Sequence, residues 1–159
     1  MSIPNVTEIP TETIALQTYE DADYGFTFDY PAAWMLDVIA LGDRAPHSIQ
    51  LTSWTHEPGQ ISEVQAGGTV VNVTIQLWDP QGDLAAFVEQ RKTAWDASGI
   101  TIVLQEQLLL SGDRVAQAFI VMSSEEESYF FFTVLGEQYL VVSGSGDIEA
   151  IRQLAQSLR

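Results

Sequence analysis

Apolar and polar residues alternate with a period of two along much of this chain and shift to a period near 3.6 in two places. The sharpest strand pattern is Tyr24-Gly25-Phe26-Thr27-Phe28-Asp29-Tyr30-Pro31-Ala32-Ala33-Trp34. Phe26, Phe28 and Tyr30 lie two apart, so a strand puts their rings on one face and turns Thr27 and Asp29 to the other. Pro31 has no N–H to donate and is expected to end that ladder, with Trp34 opening a new segment against the same core. Upstream, Ile14, Leu16 and the Thr18-Tyr19 pair suit a short first strand, set off by an acidic turn from Glu20 to Asp23. Trp34 to Ile39 and Ser48 to Trp54 predict further strands joined by a loop from Gly42 to Pro46. Thr55 to Gly68 reads as a longer loop. From Thr69 to Trp78, Val71, Val73, Ile75 and Leu77 fall on one face of a strand.

The first helical stretch is expected to be capped by Asp83 and to end near Gly99. Leu84, Phe87, Val88, Arg91 and Trp95 recur at helical spacing there, leaving Glu89, Lys92 and Asp96 toward water. A meander follows: Thr101 to Leu110, a turn at Ser111 to Asp113, Val115 to Met122, Tyr129 to Leu135, a turn at Gly136-Glu137, and Tyr139 to Ser143. Gly144-Ser145-Gly146 is expected to break the sheet. Asp147 then caps a final helix whose buried stripe is Ile148, Ile151, Leu154, Ala155 and Leu158. The run Tyr129-Phe130-Phe131-Phe132 suits both faces of a covered central strand, the alternative being an exposed binding patch. The order of elements predicts an α+β fold, an antiparallel β-sheet of about six or more strands packed against helices. Residues 1–12 read as a flexible tail or tether and residues 13–159 as one domain.

Composition narrows the partners more than the chemistry. A chain of 159 residues, 46% hydrophobic with four Trp, is long enough to build its own core. Twenty-two acidic residues against six basic ones give a formal charge of −16, and Lys92 is the sole lysine. That balance disfavours nucleic acid and anionic membrane surfaces. The acidity serves either plain solubility or attraction of a basic partner or cations. The absence of cysteine removes disulfides, thiolate nucleophiles and Cys-ligated metal sites. No run reaches the length of a membrane span. Met1 to Asn5 has neither the basic stretch nor the apolar core of a signal peptide, which leaves two explanations: a cytoplasmic protein, or a mature region parted from its export segment.

Candidate chemistry is sparse. His47 and His56 have no HExxH-type spacing and read as surface histidines, and no Gly-x-Ser-x-Gly elbow marks a nucleophile. The acidic clusters Glu20-Asp21-Asp23 and Glu125-Glu126-Glu127 offer oxygen ligands to a hard cation such as Ca²⁺, although neither has an EF-hand loop and each also reads as a solvated tip. Trp54, His56 and Trp78 beside the 55–68 loop are candidates for a ligand or partner surface, unless the tryptophans simply fill the sheet–helix interface. No cofactor is expected.

The aromatic strand ending in Tyr30-Pro31 and Trp34, the helix opened by Gly82-Asp83-Leu84, the meander with Gly-containing turns and the last helix ending Ser157-Leu158-Arg159 together resemble the PsbP-like superfamily. This superfamily includes PsbP, DcrB-type envelope proteins and Mog-type proteins. The resemblance spans about residues 14 to 159 and implies an α-β-α sandwich and a non-enzymatic role. It also implies an exported or lipid-anchored bacterial envelope protein, with residues 1–12 as its N-terminal tether, that binds a protein partner or assists assembly of a membrane complex. Without export, the location would be cytoplasmic. The alternative is a small-molecule or cation-binding module that uses the acidic surface and the 55–68 loop.

Overall fold

A computed structural model describes residues 15–39, 48–54, 68–77, 83–110, 114–135 and 138–159. In chain order the elements are β1 (Leu16–Asp21), β2 (Phe26–Pro31), β3 (Met35–Ile39), β4 (Ser48–Thr52), β5 (Val70–Leu77), α1 (Leu84–Ala97), β6 (Thr101–Leu110), β7 (Arg114–Ser123), β8 (Glu126–Leu135), β9 (Gln138–Ser145) and α2 (Ile148–Gln156). β1 and β2 form a hairpin, and the other strands form a seven-stranded sheet in the order β3-β4-β5-β9-β8-β7-β6. Every pairing is antiparallel. The α+β class expected from the pattern is the class observed.

Cross-strand partners share a face, so the registers explain which faces are apolar. Ile49, Val73, Val142, Phe131 and Ala118 are successive register partners across β4, β5, β9, β8 and β7, and all are buried. This face carries α2 and the β1–β2 hairpin, whose Phe26, Phe28 and Tyr30 join the same core. On the opposite face, the row through Phe119 and Phe130 continues into Ser143, Asn72, Gln50 and Asp37. α1 packs on β8 at the aromatic end, where Val88 and Trp95 meet Phe119, Val121, Phe132 and Val141. Trp95 sits 5.4 Å from Phe119 and 5.0 Å from Phe130, ring centre to ring centre. Consecutive residues of the Tyr129 to Phe132 run thus serve opposite cores, as a covered central strand requires.

The caps lie where the side chains allow them. Asp83 accepts from Ala86 N–H at 2.8 Å and Asp147 from Ala150 N–H at 3.1 Å. Tyr139 Oη also donates to the Asp83 carbonyl at 3.0 Å, tying the start of α1 to β9.

The β1–β2 ladder ends at Pro31 as expected, with Leu16 and Pro31 its last register pair. Strand alternation turns the Pro31 nitrogen to the outer edge, where no β1 partner is lost, and just past the ladder Ala32 N–H donates to Ala15 O at 2.8 Å. Two expectations need correction. β8 starts at Glu126, ahead of the expected Tyr129, because Ser124 and Glu125 adopt φ of 49° and 69° and make a two-residue hairpin turn without glycine. Gly144 does not break the sheet: it pairs with both Val71 and Tyr129 inside β9. A Cβ there would lie 2.3 Å from Val70 O and 3.1 Å from Ile151 Cδ1, so glycine lets β9 run beneath α2.

Candidate functional site

The outer edge of β2 is closed by the end of the chain. Thr27 N–H donates to Arg159 O and Arg159 N–H donates back to Thr27 O, each at 2.9 Å. Asp29 N–H donates to Ser157 Oγ at 2.8 Å, and the third outward position is Pro31. The hairpin is therefore fastened to the segment following α2. A cleft of about 350 Å³ opens between them, lined by Leu16, Asp29, Pro31, Ala150, Gln153, Leu154 and Ser157.

The walls of the cleft are mainly apolar and Leu16 is exposed at its side. The polar groups of Asp29 and Ser157 are already engaged. Asp29 accepts from Arg159 at 3.1 and 3.3 Å and from the Thr18 hydroxyl at 2.7 Å. The Ser157 hydroxyl donates to Leu154 O at 2.6 Å, so its proton is directed to a carbonyl and not to a base that would activate the oxygen. This arrangement suits an apolar side chain or short segment of a partner better than bond-breaking chemistry.

Hydrogen bonds from Arg159, then from Thr18, hold the Asp29 carboxyl below the usual carboxylate range. An unfolded Asp titrates near ~3.9, so between the two values the unfolded chain binds more protons and stability rises with pH. The contribution is complete above the unfolded value and is lost as pH falls through the folded one. The melting-temperature gap between the native chain and Asp29→Asn is expected to be constant from about pH 7 to 5 and to shrink below about pH 4. A gap unchanged down to about pH 2 would contradict the ion pair.

The structure scatters the acidic candidates. Asp21 is buried: its Oδ2 accepts from Tyr19 Oη at 2.8 Å, and its Oδ1 from the N–H groups of Asp23 and Tyr24, each at 3.1 Å. It organises the turn into β2, while Glu20 and Asp23 are exposed. Burial first, and then the bond to Asp21, raises the Tyr19 phenol well above its usual range. Glu125, Glu126 and Glu127 are exposed at the β7–β8 tip, and strand alternation sends Glu126 and Glu127 to opposite faces. Among the described residues, no group of three or more His, Cys, Asp or Glu side chains is placed to hold a metal ion. Trp54 is half-buried just after β4, its carbonyl accepting from Thr52 Oγ1 at 2.9 Å. His47, His56 and Trp78 lie outside the described residues.

A second polar cluster lies where α2 meets β6 and β8. Arg152 Nη2 is 2.8 Å from Glu106 Oε2, and Tyr129 is buried nearby, with its phenol raised by burial first and by Glu106 second. Glu106 Oε1, Arg152 Nε and Tyr129 Oη are buried without a hydrogen-bond partner among the described residues. Removing one partner of a buried pair costs about 3–5 kcal/mol, and a surface pair is worth about 1 or less. This pair is a third and a quarter exposed, which places Arg152→Leu at about 2 kcal/mol. Urea unfolding should show the double variant Glu106→Leu/Arg152→Leu losing less than Arg152→Leu alone, since no carboxylate is left stranded; equal losses would contradict a paired cluster.

The seven-stranded sheet, the two-stranded hairpin and the two helices make an α+β fold like that of PsbP. The solution structure of cyanobacterial PsbP (CyanoP) from Synechocystis sp. PCC 6803 matches with a TM-score of 0.61 at 16% identity, covering 100% of this chain and 97% of that one. No protein-family model and no curated protein matches the sequence.

Proposed function

We propose that this chain is a non-catalytic binding domain of the PsbP type, working outside the cytoplasm at a cell envelope, where it holds a protein partner or assists assembly of a membrane complex. The observation that carries this reading is the structural likeness to a cyanobacterial PsbP over the whole chain. The cleft between the hairpin and α2 supports it, since mainly apolar walls, with Asp29 and Ser157 held in hydrogen bonds of their own, favour contact over chemistry. Among the described residues, no helix is long and apolar enough to cross a membrane, so in this reading the segment preceding residue 13 supplies the attachment.

Affinity capture from membrane and envelope fractions of the native organism tests this, with the whole chain as bait and a Leu16→Lys variant as control. Leu16 is exposed, so the charge should alter the cleft and leave the fold intact. A reproducible protein partner lost with Leu16→Lys is expected. Equal capture by both baits would remove the cleft from the proposal. A tight stoichiometric small molecule in the purified native protein would overturn the non-catalytic binding role.

A further inference from the structure

Ten consecutive strand residues, Thr101-Ile102-Val103-Leu104-Gln105-Glu106-Gln107-Leu108-Leu109-Leu110, form the outermost strand of the large sheet. β6 pairs with β7 on one side, and among the described residues no strand lies on the other. Such an edge presents free N–H and C=O groups to any chain that can adopt the matching register. The fold covers the comparable edge of β2 with Arg159, Ser157 and a proline. β6 has no proline, lysine or arginine, and its single charge, Glu106, is held against Arg152. Val103, Leu104 and Leu109 are 53%, 42% and 72% exposed, and Val115, the register partner of Leu109, is exposed beside it.

The order of side chains indicates what fits this edge. About Glu106 the strand reads nearly the same in both directions: Gln105 mirrors Gln107, Leu104 mirrors Leu108, Val103 mirrors Leu109 and Ile102 mirrors Leu110. A two-fold axis at Glu106 would thus set amide against amide and aliphatic against aliphatic, as isologous antiparallel pairing requires. The register shift between Ile102 and Leu104 disturbs the first residues only, and pairing with β7 is continuous from Leu104 to Leu110. Each central glutamate already carries its own Arg152, so two ion pairs meet at the axis and not two bare carboxylates. We propose that β6 joins a second copy of this chain, extending the two seven-stranded sheets into one.

The charge of −16 on each copy opposes this association, which gives it a distinctive salt dependence. Sedimentation at increasing protein concentration should show a monomer–dimer equilibrium that tightens between about 50 mM and 500 mM salt. Leu104→Lys and Leu109→Lys should each weaken the dimer about tenfold or more, since each change acts twice across the axis. Both side chains face solvent, so the melting temperature of the monomer should hold. For the register, Gln105→Cys and Gln107→Cys chains, mixed, should form a disulfide-linked pair faster than either alone in this cysteine-free protein. A monomer at all concentrations, a dimer indifferent to both lysines, or association weakened by salt would overturn the proposal, the last indicating a cationic partner instead.

Discussion

Phe131→Ala should destabilise the domain by about 3–5 kcal/mol, the range for emptying a fully buried aromatic site. Phe131 has no exposure and sits mid-sheet between Ala118 of β7 and Val142 of β9, on the face covered by α2 and the hairpin. Its neighbour on β7 is already the smallest side chain with a Cβ, so little local collapse can refill the space. A domain of this size has roughly 5–15 kcal/mol in total, so the loss approaches the limit of folding. The expected drop in melting temperature is on the order of 10 °C. The matching experiment is Phe132→Ala, one residue along and on the opposite face, whose ring packs edge-on to Phe87 at 5.8 Å. Hydrogen exchange should show Phe132→Ala loosening α1 and Phe131→Ala loosening α2. A loss below about 1 kcal/mol for Phe131→Ala would contradict its central position.

Gly144→Ala is expected to cost about 3 kcal/mol, the upper end for overpacking. The limit here is space: the added Cβ would stand 2.3 Å from Val70 O and 3.2 Å from Val71 Cα. Both atoms are backbone of the strand paired with β9, so they move only if the β5–β9 ladder opens. Gly25→Ala gives the contrast, because Gly25 has φ of 73° and nothing within 4 Å of its Cβ position. That substitution should cost only the left-handed backbone penalty, about 1–2 kcal/mol. If Ile151→Val restored the stability of Gly144→Ala, the side chain of α2, and not the ladder, would be the constraint.

The strands and helices were legible because their signals are local. Phe26, Phe28 and Tyr30 announce a buried face by spacing alone, and Asp83 and Asp147 announce helix starts by a hydrogen bond that spans three residues. A misreading arose where a local rule has a second physical cause. Glycine in a strand usually marks an interruption, and at Gly144 it marks close approach of β5 beneath α2. Three adjacent carboxylates read either as a ligand set or as a solvated tip, and only the fold shows that they are exposed and that alternation along β8 separates Glu126 from Glu127. Asp21 lies in an acidic run, but the turn's own N–H groups and Tyr19 take both of its oxygens.

What the sequence by itself determined is the α+β class, the alternating faces, the caps and the acidic charge, since each depends on neighbours within a few residues or on composition. Only the tertiary structure decided the cleft and the free edge. Leu16 and Asp29 reach Ser157 and Arg159 by closing a hairpin onto the far end of the chain, and no spacing rule spans that distance. β6 is an edge because of the order in which strands pair, which its own ten residues do not encode. Its symmetry about Glu106 was present in the sequence throughout, but it acquires meaning only when one side of the strand is left unpaired.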